Sequence, residues 1–114
     1  MPLRSILVLL LATSAFDPRT ADCADSERPT YVIVAENGRF NPSEIVVPPG
    51  TAFLVHVKNG ESSPIEFESF ELHRERVVEP GETISVNMPS LTSGDYKFFD
   101  DFHQSTPQGT ITVK

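Results

Sequence analysis

Apolar residues in this chain alternate with polar ones in short runs, and that period of two most limits what it can fold into. Phe53, Val55 and Val57 share one parity, as do Ile84, Val86 and Met88, and as do Ile111 and Val113. Side chains two apart lie on one face of an extended strand, so each run offers an apolar face and a polar one. The 10 prolines and 6 glycines punctuate the runs, and little of the chain shows helical periodicity. Strands are predicted over residues 31–35, 43–47, 51–59 and 82–88, with the Asn37-Gly38 pair as a hairpin turn. Seven or so short strands in 114 residues predict one all-β domain, a Greek-key β-sandwich, with a small closed barrel as the other arrangement the pattern allows.

The N-terminus differs from the rest. Arg4 precedes the apolar run from Ile6 to Phe16, which is shorter than the roughly 20 residues a membrane-spanning helix needs but matches a secretory signal. Residues 1–23 are therefore predicted as a signal peptide, 24–29 as a polar tail and 30–114 as the domain. Small residues at Thr13 and Ala15, and at Ala21 and Cys23, give two candidate cleavage sites. Asp22 beside Cys23 does not suit lipidation. The expectation is an exported, periplasmic protein with no direct membrane insertion after cleavage. Cys23 is the single cysteine, so the domain is expected to carry neither disulfide nor thiolate.

Sixteen acidic against nine basic residues give a net charge of −7. No basic stripe exists to displace counterions from phosphates, which disfavours nucleic acid as a partner. Cations and basic protein surfaces suit the chain better.

The densest chemistry lies near the C-terminus. Tyr96 and Phe98 share a face, Asp100 continues their parity, and Asp101 and His103 follow within three positions. If the strand runs through Asp100, its carboxylate turns inward, where it needs a cation or hydrogen bonds. Capping a turn through backbone amides is an equal reading for Asp100 and Asp101. Glu66 and Glu68, two apart, share a face and could approach the same place; a solvated acidic surface is the plainer reading of both.

Phe40-Asn41-Pro42, Ile45, Val47, Pro49-Gly50-Thr51, a long strand ending in Asn59, and the final Gly94, Tyr96, Phe98, His103, Gly109, Ile111 and Val113 resemble the cupredoxin superfamily over residues 31–114. Pro64-Ile65-Glu66-Phe67-Glu68 and Phe98-Phe99-Asp100-Asp101-Phe102-His103 resemble the EfeO-type cupredoxin-like group, small periplasmic proteins associated with bacterial iron uptake. The resemblance implies a sandwich with a metal site, and a membrane iron permease or another uptake component as partner. The blue-copper ligand positions fall at Ile65, Asp100, His103 and, at or near, Gln108. Only the imidazole is kept, so no blue-copper centre is expected.

The residues instead predict a transition-metal site, iron or copper, formed by His103, Asp100, Asp101, Glu66 and Glu68, with His73 and Gln108 as peripheral donors. Oxygen-rich ligation with one imidazole suits such ions. Ferrous-iron oxidation is compatible with this set, although binding without turnover is the expectation. Two other functions fit the same sequence: a metal-free module docking a basic partner surface, and an atypical copper electron carrier.

Overall fold

A computed structural model of the chain describes residues 28–114; the predicted signal peptide and all but the end of the polar tail lie outside the described residues. Nine strands run in order: β1 (Thr30–Glu36), β2 (Arg39–Asn41), β3 (Glu44–Val47), β4 (Phe53–Asn59), β5 (Ile65–Ser69), β6 (Arg74–Val78), β7 (Thr83–Met88), β8 (Gly94–Asp100) and β9 (Gly109–Val113). They form a four-stranded sheet, β2-β1-β4-β7, and a five-stranded sheet, β3-β9-β8-β5-β6. Parallel β1–β4 and β3–β9 pairs make both sheets mixed. The expected sandwich is present.

Local chemistry explains the elements. Asn37 and Gly38 both have positive φ, 54° and 69°, as the tight turn between β1 and β2 requires. In β4 the alternation is realised directly: Phe53, Val55 and Val57 are buried while Leu54 and His56 are partly exposed. β4 lies inside its sheet between β1 and β7, as its length and pattern predict. Residues 65–78, which carry no clear period, are a hairpin of β5 and β6 closed by a turn in which His73 has φ 53°. β6 sits at the sheet edge and buries only Val78, so it leaves no alternating signature. That hairpin and three-residue β2 raise the strand count from seven to nine.

The two sheets close over Ile33, Val47, Phe53, Val55, Val57, Phe67, Phe98, Ile111 and their neighbours. Each large apolar side chain stabilises the sandwich by roughly 1.5–3 kcal/mol on full burial. Phe40, Phe67 and Phe98 form an aromatic group, with Phe98 centroids 5.2 Å from Phe40 and 5.3 Å from Phe67. Gly109 is opposite Phe98 in the β8–β9 pair, and a Cβ there would overlap the Phe98 ring. A glycine at that position is thus a packing requirement. Among the described residues, no helix is long and apolar enough to cross a membrane.

Candidate functional site

The candidate residues meet where β5 pairs with the end of β8. Phe67 is opposite Asp100 and Glu68 opposite Phe99, which puts Asp100 on the core side with Phe67 and Phe98. Asp100 is only 5% exposed. Its Oδ1 accepts hydrogen bonds from the Glu66 N–H at 3.0 Å and the Phe102 N–H at 3.1 Å, and Oδ2 lies 2.8 Å from His103 Nδ1. Three partners thereby offset the cost of burying the carboxyl group. Asp100 both caps the turn after β8 and orients an imidazole.

A carboxylate oxygen only accepts, so the proton of the His103 ring belongs on Nδ1 and the lone pair on Nε2. Nε2 lies 3.4 Å from Ser63 Oγ. The ring forms part of the wall of a cleft of about 290 Å³, with Gly38, Arg39, Glu61, Ser63 and Thr106.

A second group of donors lies on the outward face of the same sheet. Alternation turns Glu66 and Glu68 away from Ile65 and Phe67, which are in the core. Asp101, one residue beyond Asp100, turns the same way. One carboxylate oxygen from each of Glu66, Glu68 and Asp101 lies within 4.8 Å of the other two. Glu66 is 7% exposed, and burial, then its hydrogen bond with Glu68 and the nearby Glu75, pushes its carboxyl up from 4.5 to about 7. Glu75 is the cross-strand neighbour of Glu68 on β6. No Lys or Arg among the described residues forms an ion pair with Glu66, Glu68 or Asp101. Asp101 Oδ1 accepts a neutral bond from Gln104 Nε2 at 3.1 Å. Three carboxyls this close could hold a hard cation.

The expected convergence of Asp100, Asp101, His103, Glu66 and Glu68 on a single position is therefore corrected: they form two groups back to back. Asp100 and His103 face the cleft, whereas Asp101, Glu66 and Glu68 face outward, because adjacent residues of a strand point to opposite faces. Glu66 joins the groups through its backbone, with its N–H bound to Asp100 and its C=O accepting the Asp101 N–H at 3.0 Å. Gln108 is exposed and shares a shallow depression with Asp101 and Gln104, away from His103. His73 is exposed in its turn and borders a depression with Glu68 and Glu75. Ile65, at the first expected ligand position, is buried and apolar.

Two contributors, Asn59 and Ser63, are not singled out by the sequence. Asn59 is fully buried, and its Nδ2 donates to Ser63 O at 2.8 Å and Val78 O at 2.9 Å while Oδ1 accepts the Glu61 N–H at 2.8 Å. It fixes the loop that carries Ser63. Its parity with Val55 and Val57 was the available signal, since a polar residue on a core face needs partners. Ser63 carries no local signal, because its importance comes from a contact across 40 residues.

A family model for the cupredoxin-like domain matches residues 4–113. An uncharacterized protein of Rickettsia prowazekii (strain Madrid E) is 40% identical over 81 residues, which cover 71% of this chain and 65% of that protein's length. Among solved structures, the metal-binding domain of the Streptococcus pneumoniae D39 Cu(I)-exporting P-type ATPase CopA aligns with a TM-score of 0.66 at 18% identity, covering 75% of this chain and 84% of that one. Reduced auracyanin from Roseiflexus castenholzii aligns at 0.64 with 17% identity, covering 75% and 96%. A purple cupredoxin from Nitrosopumilus maritimus aligns at 0.57 with 20% identity, covering 74% and 99%. At these identities the structural matches speak for the fold alone. With two sheets in the expected arrangement and the family model spanning nearly the whole sequence, the chain belongs to the cupredoxin-like domain family.

Proposed function

We propose that this protein is an exported, periplasmic metal-binding cupredoxin whose ion is held by Glu66, Glu68 and Asp101, and that it serves as an accessory component of ferrous-iron uptake. The observation that carries the reading is the mutual approach of three carboxylate oxygens within 4.8 Å around an almost buried Glu66. Such a group repels itself unless a proton or cation sits within it. All-oxygen donors suit a hard ion, and ferrous iron as the one carried rests on the resemblance rather than on the donor set. Asp100 and His103 are adjacent through the Glu66 backbone and brace that strand, while His73 and Glu75 border the site. The uptake role and the permease partner rest on the resemblance of residues 64–68 and 98–103 to the EfeO-type group. Iron here is cargo, and the chain's part is to bind it.

Anaerobic calorimetric titration with Fe(II) tests the reading. Binding tighter than about millimolar, equivalent to about 4 kcal/mol, is expected for the wild type and not for Glu66→Gln combined with Asp101→Asn. Equal binding by both proteins, or none by either, ends it. A blue-copper form of the copper-carrier alternative needs a thiolate, and no cysteine occurs among the described residues. Added Cu(II) is therefore expected to give no intense sulfur-to-copper absorption in the visible.

A further inference from the structure

The cleft on the inner side of the β5–β8 junction has a chemistry of its own. Asp100 Oδ2, His103 and Ser63 Oγ stand in sequence, with 2.8 Å between Oδ2 and Nδ1 and 3.4 Å between Nε2 and Oγ. Each member is anchored from a different part of the fold. Asp100 is buried at the end of β8 and held by two backbone amides. His103 lies in the following turn, where its N–H donates to Asp100 O at 3.2 Å. Ser63 is tethered through its carbonyl to the buried Asn59. Acid, imidazole and hydroxyl in this order orient a base and aim it at a nucleophile. The longer contact, 3.4 Å, is beyond the roughly 2.6–3.2 Å of a formed nucleophile–base bond, a separation that commonly closes when substrate binds.

We propose that Ser63 is a nucleophile for acyl transfer, with His103 as its base and Asp100 as the positioning residue, acting on small carboxylic esters that fit the cleft. Ser63 Oγ attacks the ester carbonyl carbon while its proton passes to Nε2. Collapse of the adduct breaks the bond to the alcohol oxygen, and the alcohol leaves with that proton. Water then repeats the sequence at the acyl-serine, releasing the acid and restoring the hydroxyl. The net change is hydrolysis, without oxidation or reduction. Arg39 lines the same cleft, and a guanidinium aimed at the carbonyl oxygen would stabilise its growing charge.

The bland alternative is a surface hydroxyl resting against an imidazole, and it leaves Ser63 no more reactive than its exposed neighbour Ser62. A fluorophosphonate probe separates the two: serine oxygen bonds to phosphorus, fluoride leaves, and the serine proton passes to His103. The full chain is treated in the presence of a chelator, digested and mapped by mass spectrometry. Labelling is expected at Ser63 in the wild type and in Ser62→Ala. It is expected to be roughly a hundredfold slower in His103→Ala, the scale of a lost general base, and absent at this position in Ser63→Ala. Both substitutions alter partly exposed side chains, and matching circular dichroism spectra establish that the variants are folded. Labelling of Ser63 no faster than Ser62, or at an unchanged rate in His103→Ala, overturns the proposal.

Discussion

Asp100 Oδ2 lies 2.8 Å from His103 Nδ1, while the other oxygen of the same carboxylate accepts two backbone amides. One buried side chain thus sets the turn after β8, the approach of β5 and the tautomer of an imidazole. The acid occupies the position that the cupredoxin resemblance gives to a sulfur ligand, and its oxygens are already occupied by protein donors.

That arrangement predicts a tautomer. Nitrogen-15 NMR of His103 is expected to show a protonated Nδ1 and an unprotonated Nε2 in the neutral ring. Asp100→Asn, which can offer N–H donors to the ring, is expected to move the proton to Nε2. An Nε2–H ring in the wild type contradicts the assignment.

Glu66 predicts a pH dependence. Its folded-state value of about 7 lies above the ordinary 4.5, so the folded form binds the proton more tightly than the unfolded chain does. The resulting stability is fully present below the unfolded value, declines as pH rises through 4.5 to about 7, and is gone above that window. Metal-free wild type and Glu66→Gln are therefore expected to melt alike near the acid end, with the variant more stable above neutrality. Parallel melting curves at every pH refute this assignment. Metal affinity is expected to rise over the same window, because the proton must leave before the ion binds.

Asn59→Ala removes three hydrogen bonds from a fully buried side chain. With about 1 kcal/mol per net bond, and more where a partner is left unsatisfied, the loss is expected to be roughly 2–4 kcal/mol in urea denaturation. The amide hydrogens of residues 61–63 should also exchange faster. A loss within about 0.5 kcal/mol, the range of an ordinary surface change, would show that the loop is held by other means.

Gly109→Ala places a methyl group against the Phe98 ring. Overpacking in a dense core costs about 1–3 kcal/mol, and the same denaturation experiment reads it. A neutral outcome would mean that β8 and β9 can separate locally without loss.

Much of this architecture was legible because alternation is a local signal. Phe53, Val55, Val57, Ile84, Val86 and Met88 announced their faces, and Asn37-Gly38 announced its turn. The inward turn of Asp100 followed from its parity with Phe98. Sequence spacing misled at the next residue: Asp101 looked close enough to join Asp100, yet the pleat that buries one carboxylate carries its neighbour to the other face. Nothing local told that β5 would pair with β8 at Phe67 and Asp100, and that register decides which acids meet. Ser63 and His103, forty residues apart, become neighbours only once both loops are fixed.

The most direct measurement is an anomalous difference map from crystals of the domain soaked anaerobically in Mn(II) or Fe(II). A single strong peak is expected among the carboxylates of Glu66, Glu68 and Asp101, with oxygen ligands only from the protein. A peak at His103 in the cleft, or none at the carboxylate cluster under saturating metal, contradicts it.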